Sequence, residues 1–294
     1  MWFTFFIAAL VASTPIAHAF CPSPRIDANV VKRAIEYEAV KRNSLIARNN
    51  INVDIYLHNV ARGATWDEGY VSVSLMMSFL GLNSLLITTK EELLQKQFEI
   101  IHEAFLPYGI EMSLAGLDHI INPAWSNITI DSQSEADMKN ALHKGDYTDI
   151  NIYVVDELYY PNRINDTLTH IDLGNDLGFE LYEIMGYTSP PVPLIEFYSD
   201  FVADAAIISH KAVYGSNRTD RDLGRVAIHE IGHWFGLGHT FQWGCVGLGD
   251  DIADTPLEDI SQLETSGGCP EGRDTCPGSP GLDPIHNHMD YTSE

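Results

Sequence analysis

One stretch limits what this chain can be more than any other: His229-Glu230-Ile231-Gly232-His233-Trp234-Phe235-Gly236-Leu237-Gly238-His239. It reads H-E-x-x-H-x-x-G-x-x-H. On a helix, residues four apart lie one above the other. His229 and His233 can therefore offer two imidazoles to one ion, with the Glu230 carboxylate flanking them. Gly236 is predicted to end the helix, because glycine reaches positive φ without a Cβ penalty. The chain then turns back and His239 becomes a third ligand. Three neutral nitrogens and an open fourth position describe catalytic rather than structural zinc. The plain alternative is a helix with two solvated histidines and one core histidine, but so many fixed positions recur by chance only about once in a few million windows.

The surroundings suit a helix. Thr219 and Asp222 are spaced as a capping box, T-x-x-D. Leu223, Ala227, Ile231, Trp234 and Phe235 follow helical spacing and are predicted to face the core, leaving the histidines on another face.

Upstream the periods alternate. Ile51, Val53, Ile55 and Leu57 predict a strand, as do Ile110, Met112 and Leu114, then Ile150, Ile152 and Val154. A further strand is expected over 204–210, with its edge available to an extended peptide by β-augmentation. Leu94, Phe98, Ile101 and Phe105 form the apolar stripe of a helix over 91–105. A shorter helix over 136–144 is closed by Gly145. Strands interleaved with helices in this order predict a mixed sheet with helices packed on it. The segment 72–89 is an apolar, Ser-rich insert, read either as an extra element or as translated intron, and 173–201 is longer than such a fold needs. From 240 onward, Gly, Pro and Asp dominate without a period, so this segment needs staples.

Composition sets outer limits. The chain has 294 residues, 45% of them hydrophobic, which suits a globular protein. Its net charge of -24 argues against nucleic acid and anionic membrane as partners. Residues 1–19 read as a secretory signal, with an apolar run over 5–11 and Ala17-His18-Ala19 as the cleavage site. No uninterrupted run has transmembrane length. A secreted chain allows disulfides among Cys21, Cys245, Cys269 and Cys276, and glycosylation at the Asn127, Asn165 and Asn217 sequons.

A second motif, His286-Asn287-His288-Met289-Asp290-Tyr291, follows the helix by about fifty residues. The two motifs together resemble the metzincin clan, in which a Met-turn lies beneath the metal. His239-Thr240-Phe241, Gly249-Asp250-Asp251-Ile252-Ala253-Asp254-Thr255-Pro256 and Asp283-Pro284-Ile285-His286-Asn287 are similar to its pappalysin-like branch and the secreted fungal members of that branch. The resemblance spans 51–291 and is densest after 204. It implies an α+β, metzincin-like catalytic domain: a mixed twisted sheet with a backing helix and the active-site helix, above a small irregular lower subdomain. On that reading 20–50 is a pro-segment or N-terminal helix, 51–239 the upper subdomain, and 240–294 the lower one with the Met-turn.

The activity implied is that of a secreted zinc endopeptidase, monomeric, acting on proteins or peptides. His229, His233 and His239 hold one zinc ion, and Glu230 is the general base. Tyr291 donates to the developing oxyanion. Met289 is a floor below the ligands, and His286 and His288 are loop residues. Asp250, Asp254 and Thr255 match a calcium loop of the relatives, against the alternative of a capped acidic turn. The family pairing of cysteines implies Cys245–Cys276, against a competing Cys269–Cys276 bridge. Cys21 is either a zinc-capping thiolate or a disulfide partner of Cys269. The rival to an active enzyme is a zinc-binding pseudoprotease or inactive truncated product, which has no reason to retain Glu230.

Overall fold

Four strands rich in β-branched residues run parallel through the centre of the protein and bring the motif helix against one face of their sheet. The computed structural model describes residues 51–65, 90–161, 181–189, 202–216, 223–259 and 270–292. In chain order the elements are β1 (Ile51–Ala61), α1 (Lys90–Phe105), β2 (Ile110–Ile121), the single turn α2 (Pro123–Ser126), β3 (Asn127–Thr129), α3 (Gln133–Leu142), β4 (Ile150–Val155), β5 (Glu157–Pro161), β6 (Leu181–Glu183), β7 (Gly186–Thr188), β8 (Ala205–Ser209) and α4 (Arg225–Trp234). The main sheet has the order β2-β1-β4-β8-β7, and a small second sheet the order β3-β5-β6. Strands β2, β1, β4 and β8 are parallel, and β7 runs antiparallel to β8.

Period-2 alternation sends successive side chains to opposite faces. On one face Val53, Ile55, Leu57, Ile152, Val154, Ala206 and Ile208 pack against Leu94 and Ile101 of α1 and Ala227 and Ile231 of α4. On the other face Val60, Tyr153, Val155, Ala205 and Ile207 meet Met138 of α3, Ile128 of β3 and Leu158 of β5. Every residue of β4 and β8 is buried, because both faces of these strands are covered.

The strands and helices expected from periodicity are present, α3 beginning at Gln133 rather than at 136. Two expectations need correction. The strand near 204–210 is not an edge: β8 pairs with β4 on one side and β7 on the other, so β7 is the outer strand among the described residues. Leu223 is exposed and does not join the core, since it precedes the helix. The expected signal over 1–19, the segment 20–50 with Cys21, the insert 72–89, Cys269, Asn165 and Asn217 lie outside the described residues, and Asn127 is exposed at the start of β3. Among the described residues no helix is long and apolar enough to cross a membrane.

Candidate metal centre

Helix α4 starts at Arg225, with Gly224 as its N-cap in a left-handed conformation at φ 74°. The expected capping pair, Thr219 and Asp222, lies outside the described residues. The Gln97 side chain of α1 anchors the start of the helix: Nε2 donates to the Gly224 carbonyl at 2.8 Å and Oε1 accepts the Tyr214 amide at 3.0 Å. At the other end Gly236, at φ 89°, donates its amide to His233 O (2.8 Å), and the Leu237 amide reaches Gly232 O (3.0 Å). These two bonds form a Schellman closure, and they turn the chain so that His239 comes back to the helix.

The Nε2 atoms of His229, His233 and His239 then form a triangle with edges of 3.0, 3.1 and 3.2 Å. All three residues are buried, and they are the one group of metal-ligating side chains found together among the described residues. His229 Nδ1 donates to His288 O at 2.6 Å, and His233 Nδ1 donates to Leu237 O at 2.8 Å. A carbonyl oxygen only accepts, so these bonds assign the proton to Nδ1 and leave Nε2 as a bare lone pair. Lone pairs facing one another at such distances repel unless a cation lies between them. Tetrahedral zinc with Zn–N bonds of about 2.0–2.1 Å separates its nitrogens by about 3.3–3.4 Å, close to this triangle. The donor set fits zinc. Burial pushes the His229 imidazole down to about 3 and His233 to about 4, and His239 well below its usual range, so the ligands are neutral at ordinary pH.

The Met-turn lies beneath. Met289 is buried against Gly232, where a Cβ would come within 3.3 Å of its Cε and nearer still to its sulfur. The turn is set by Asn287, whose Oδ1 accepts the Met289 amide at 2.9 Å and whose carbonyl accepts the Asp290 amide at 3.0 Å. The Tyr291 ring packs 4.7 Å from His239 and 5.8 Å from His229, and Phe241 stacks on His239 at 4.7 Å. His286 and His288 are exposed on the loop and outside the triangle.

Glu230 is fully buried, and its carboxylate faces β7. The Thr188 hydroxyl lies 2.8 Å from its Oε2 and 2.9 Å from its carbonyl oxygen. Neither Thr188 nor Gly186 carries a motif signal, and both sit in the long 173–201 stretch.

The lower segment is stapled. Cys245 and Cys276 are disulfide-bonded across 31 residues, their Cα atoms 5.4 Å apart. Arg273 gathers three buried carboxylates: Glu258, Asp283 (2.8 Å) and Asp290 (3.2 Å). In the acidic turn, Asp250 Oδ1 accepts the Ile252 amide at 3.0 Å, while Asp254 is exposed.

The chain is similar to known proteins. An extracellular metalloprotease of Verticillium alfalfae is 32% identical over 303 residues, covering 98% of this chain and 90% of its own length. One from Neurospora crassa is 36% identical over 248 residues, covering 84% and 70% respectively. Among solved structures, mature mirolysin of Tannerella forsythia in complex with a cleaved peptide superposes with a TM-score of 0.52 at 22% identity, over 84% of this chain and 85% of that one, and so shares the fold. The family model described as Pregnancy-associated plasma protein-A matches residues 147–294, from just ahead of β4 through the Met-turn. With the zinc triad and Glu230 inside that match, this chain belongs to the pappalysin family of zinc metalloproteases, Peptidase M43.

Proposed function

We propose that the protein is a secreted endopeptidase that cleaves extended protein substrates in a cleft between residues 51–239 and 240–294. The observation that carries this is the buried Nε2 triangle with a carboxylate on the same helix turn, beside an outer strand. His229, His233 and His239 would hold zinc, which would supply Lewis acidity and lower the pKa of a water molecule to about 7, as in sites of this kind. Glu230 would take a proton from the water attacking the scissile carbonyl and hand it to the leaving amine as the C–N bond breaks. Strand β7 is the outer strand of the main sheet among the described residues, and an extended peptide can add beside it with main-chain hydrogen bonds largely independent of side chains.

Export is supported by the signal-like residues 1–19 and by the extracellular relatives. The Tyr291 ring beside His239 supports a role for its hydroxyl at the oxyanion. A monomeric chain and a calcium ion in the turn of Asp250, Asp254 and Thr255 rest on family resemblance. The test is zinc content and casein hydrolysis of the purified protein beside Glu230→Gln. Zinc in both proteins, with hydrolysis in the first only, is the expected result. Equal hydrolysis by both, or none by the zinc-loaded wild type, overturns the proposal.

A further inference from the structure

The general base is the most conformationally demanding group in this site. A glutamate has three side-chain torsions, and a catalytic group works only when held within about 0.5 Å of its productive position. The main chain of α4 places the Glu230 Cα, and where the carboxylate points depends on what its side chain meets. Residues of β7, more than forty positions upstream, meet that carboxylate directly.

Two contacts are involved. The Thr188 hydroxyl is 2.8 Å from Glu230 Oε2 and 2.9 Å from Glu230 O, and Thr188 is itself buried. Its single proton has no acceptor in these two bonds outside Glu230, so either bond ties the strand to this residue. Gly186 lies two positions earlier and faces the same way. A Cβ at Gly186 would come within 2.8 Å of Glu230 Cγ and Cδ, and nearer still to Oε1. The carboxylate thus occupies the space where a side chain at 186 would stand. A donor on one side and a missing methyl on the other restrict it to one orientation.

We propose that Thr188 is a positioning residue for Glu230, and that residue 186 must be glycine because the Glu230 carboxylate fills the place of its side chain. The inference rests on Glu230 acting as base. It has a consequence for the reaction geometry. The strand that offers its main chain to the substrate also orients the base, so scissile bond and carboxylate share one reference three residues long.

The test uses the zinc-loaded full chain with a peptide substrate, reading kcat, KM and zinc content. Thr188→Val keeps the shape and removes the donor. Losing a hydrogen bond to a charged group is expected to lower kcat about ten- to hundred-fold, with KM and zinc content unchanged. Thr188→Ser restores the donor and is expected to recover most of kcat. The three atoms nearest an added Cβ at 186 all belong to the Glu230 side chain and none to backbone, so Gly186→Ala is expected to displace that carboxylate and to lose kcat in the same way while keeping the fold and zinc; it carries the test if Thr188→Val does not fold. In the Glu230→Gln background, Thr188→Val and Gly186→Ala are expected to change the residual rate by less than about two-fold, because they act through the group already removed. Wild-type kcat in Thr188→Val or Gly186→Ala, or undiminished losses in the Glu230→Gln background, would overturn the inference. Wild-type turnover in Glu230→Gln itself would overturn the base assignment and the inference with it, and is a distinct outcome.

Discussion

His229 Nδ1 donates to the carbonyl oxygen of His288 at 2.6 Å, tying a zinc ligand on α4 to the Met-turn 59 residues downstream. The bond sets the tautomer and the ring plane together, so loop and ligand are one unit. The lower segment, which has little apolar core of its own, is thereby part of the metal site.

Removing a ligand tests the centre with little disturbance to the helix. His239 lies beyond the Schellman closure, so His239→Ala leaves the bonds of α4 intact. We expect loss of tight zinc binding and of proteolysis, with helix content preserved by circular dichroism. Stoichiometric zinc in His239→Ala would contradict the triad.

Asp204 predicts a pH dependence of stability. Burial raises its carboxyl to about 7, with Lys139 opposing. The folded pKa lies above the unfolded value of about 3.9, so between about 4 and 7 the unfolded state releases a proton that the folded state keeps. Stability from this group is therefore complete below that window and is lost as pH rises through it. Asp204→Asn should remove the slope and raise stability at pH 8 by on the order of 2–4 kcal/mol. Denaturant unfolding of both zinc-loaded proteins across pH 4–8 checks this; parallel pH profiles would refute it.

Arg273 should be the costliest polar residue to remove from the lower segment. Arg273→Ala leaves Glu258, Asp283 and Asp290 buried together without their cation. Breaking such a network costs about 3–5 kcal/mol. Because Asp290 sits between Met289 and Tyr291, we also expect weaker zinc retention under chelator challenge. Unchanged unfolding midpoints would show that the carboxylates are satisfied by other means.

The Cys245–Cys276 bridge should stabilise the same segment through its closed loop. For a loop of this size the chain-entropy contribution is about 3–4 kcal/mol. A Cys245→Ser, Cys276→Ser double variant should unfold at correspondingly lower denaturant. Non-reducing peptide mapping of the wild type should yield one linked fragment carrying both residues.

What the sequence determined by itself is local. The i, i+4 spacing of His229 and His233, the turn at Gly236 and the return of His239 all follow from helix geometry over eleven residues, and the helix closes there as the glycine requires. The alternating runs of β1, β2 and β4 were equally legible, because burial on a sheet face is written with period two. Tertiary structure decided the rest. Strand β8 looked available to a substrate, but strand order depends on pairing between distant segments, and the three residues of β7 are too short to leave a period. Gly186 and Thr188 carry no signal because their meaning lies in the approach of Glu230, more than forty residues away. Arg273 belongs to no motif, and its role exists only once folding brings Glu258, Asp283 and Asp290 around it. Contacts within one element leave a spacing in the sequence; contacts between elements leave none, since they depend on which buried faces meet.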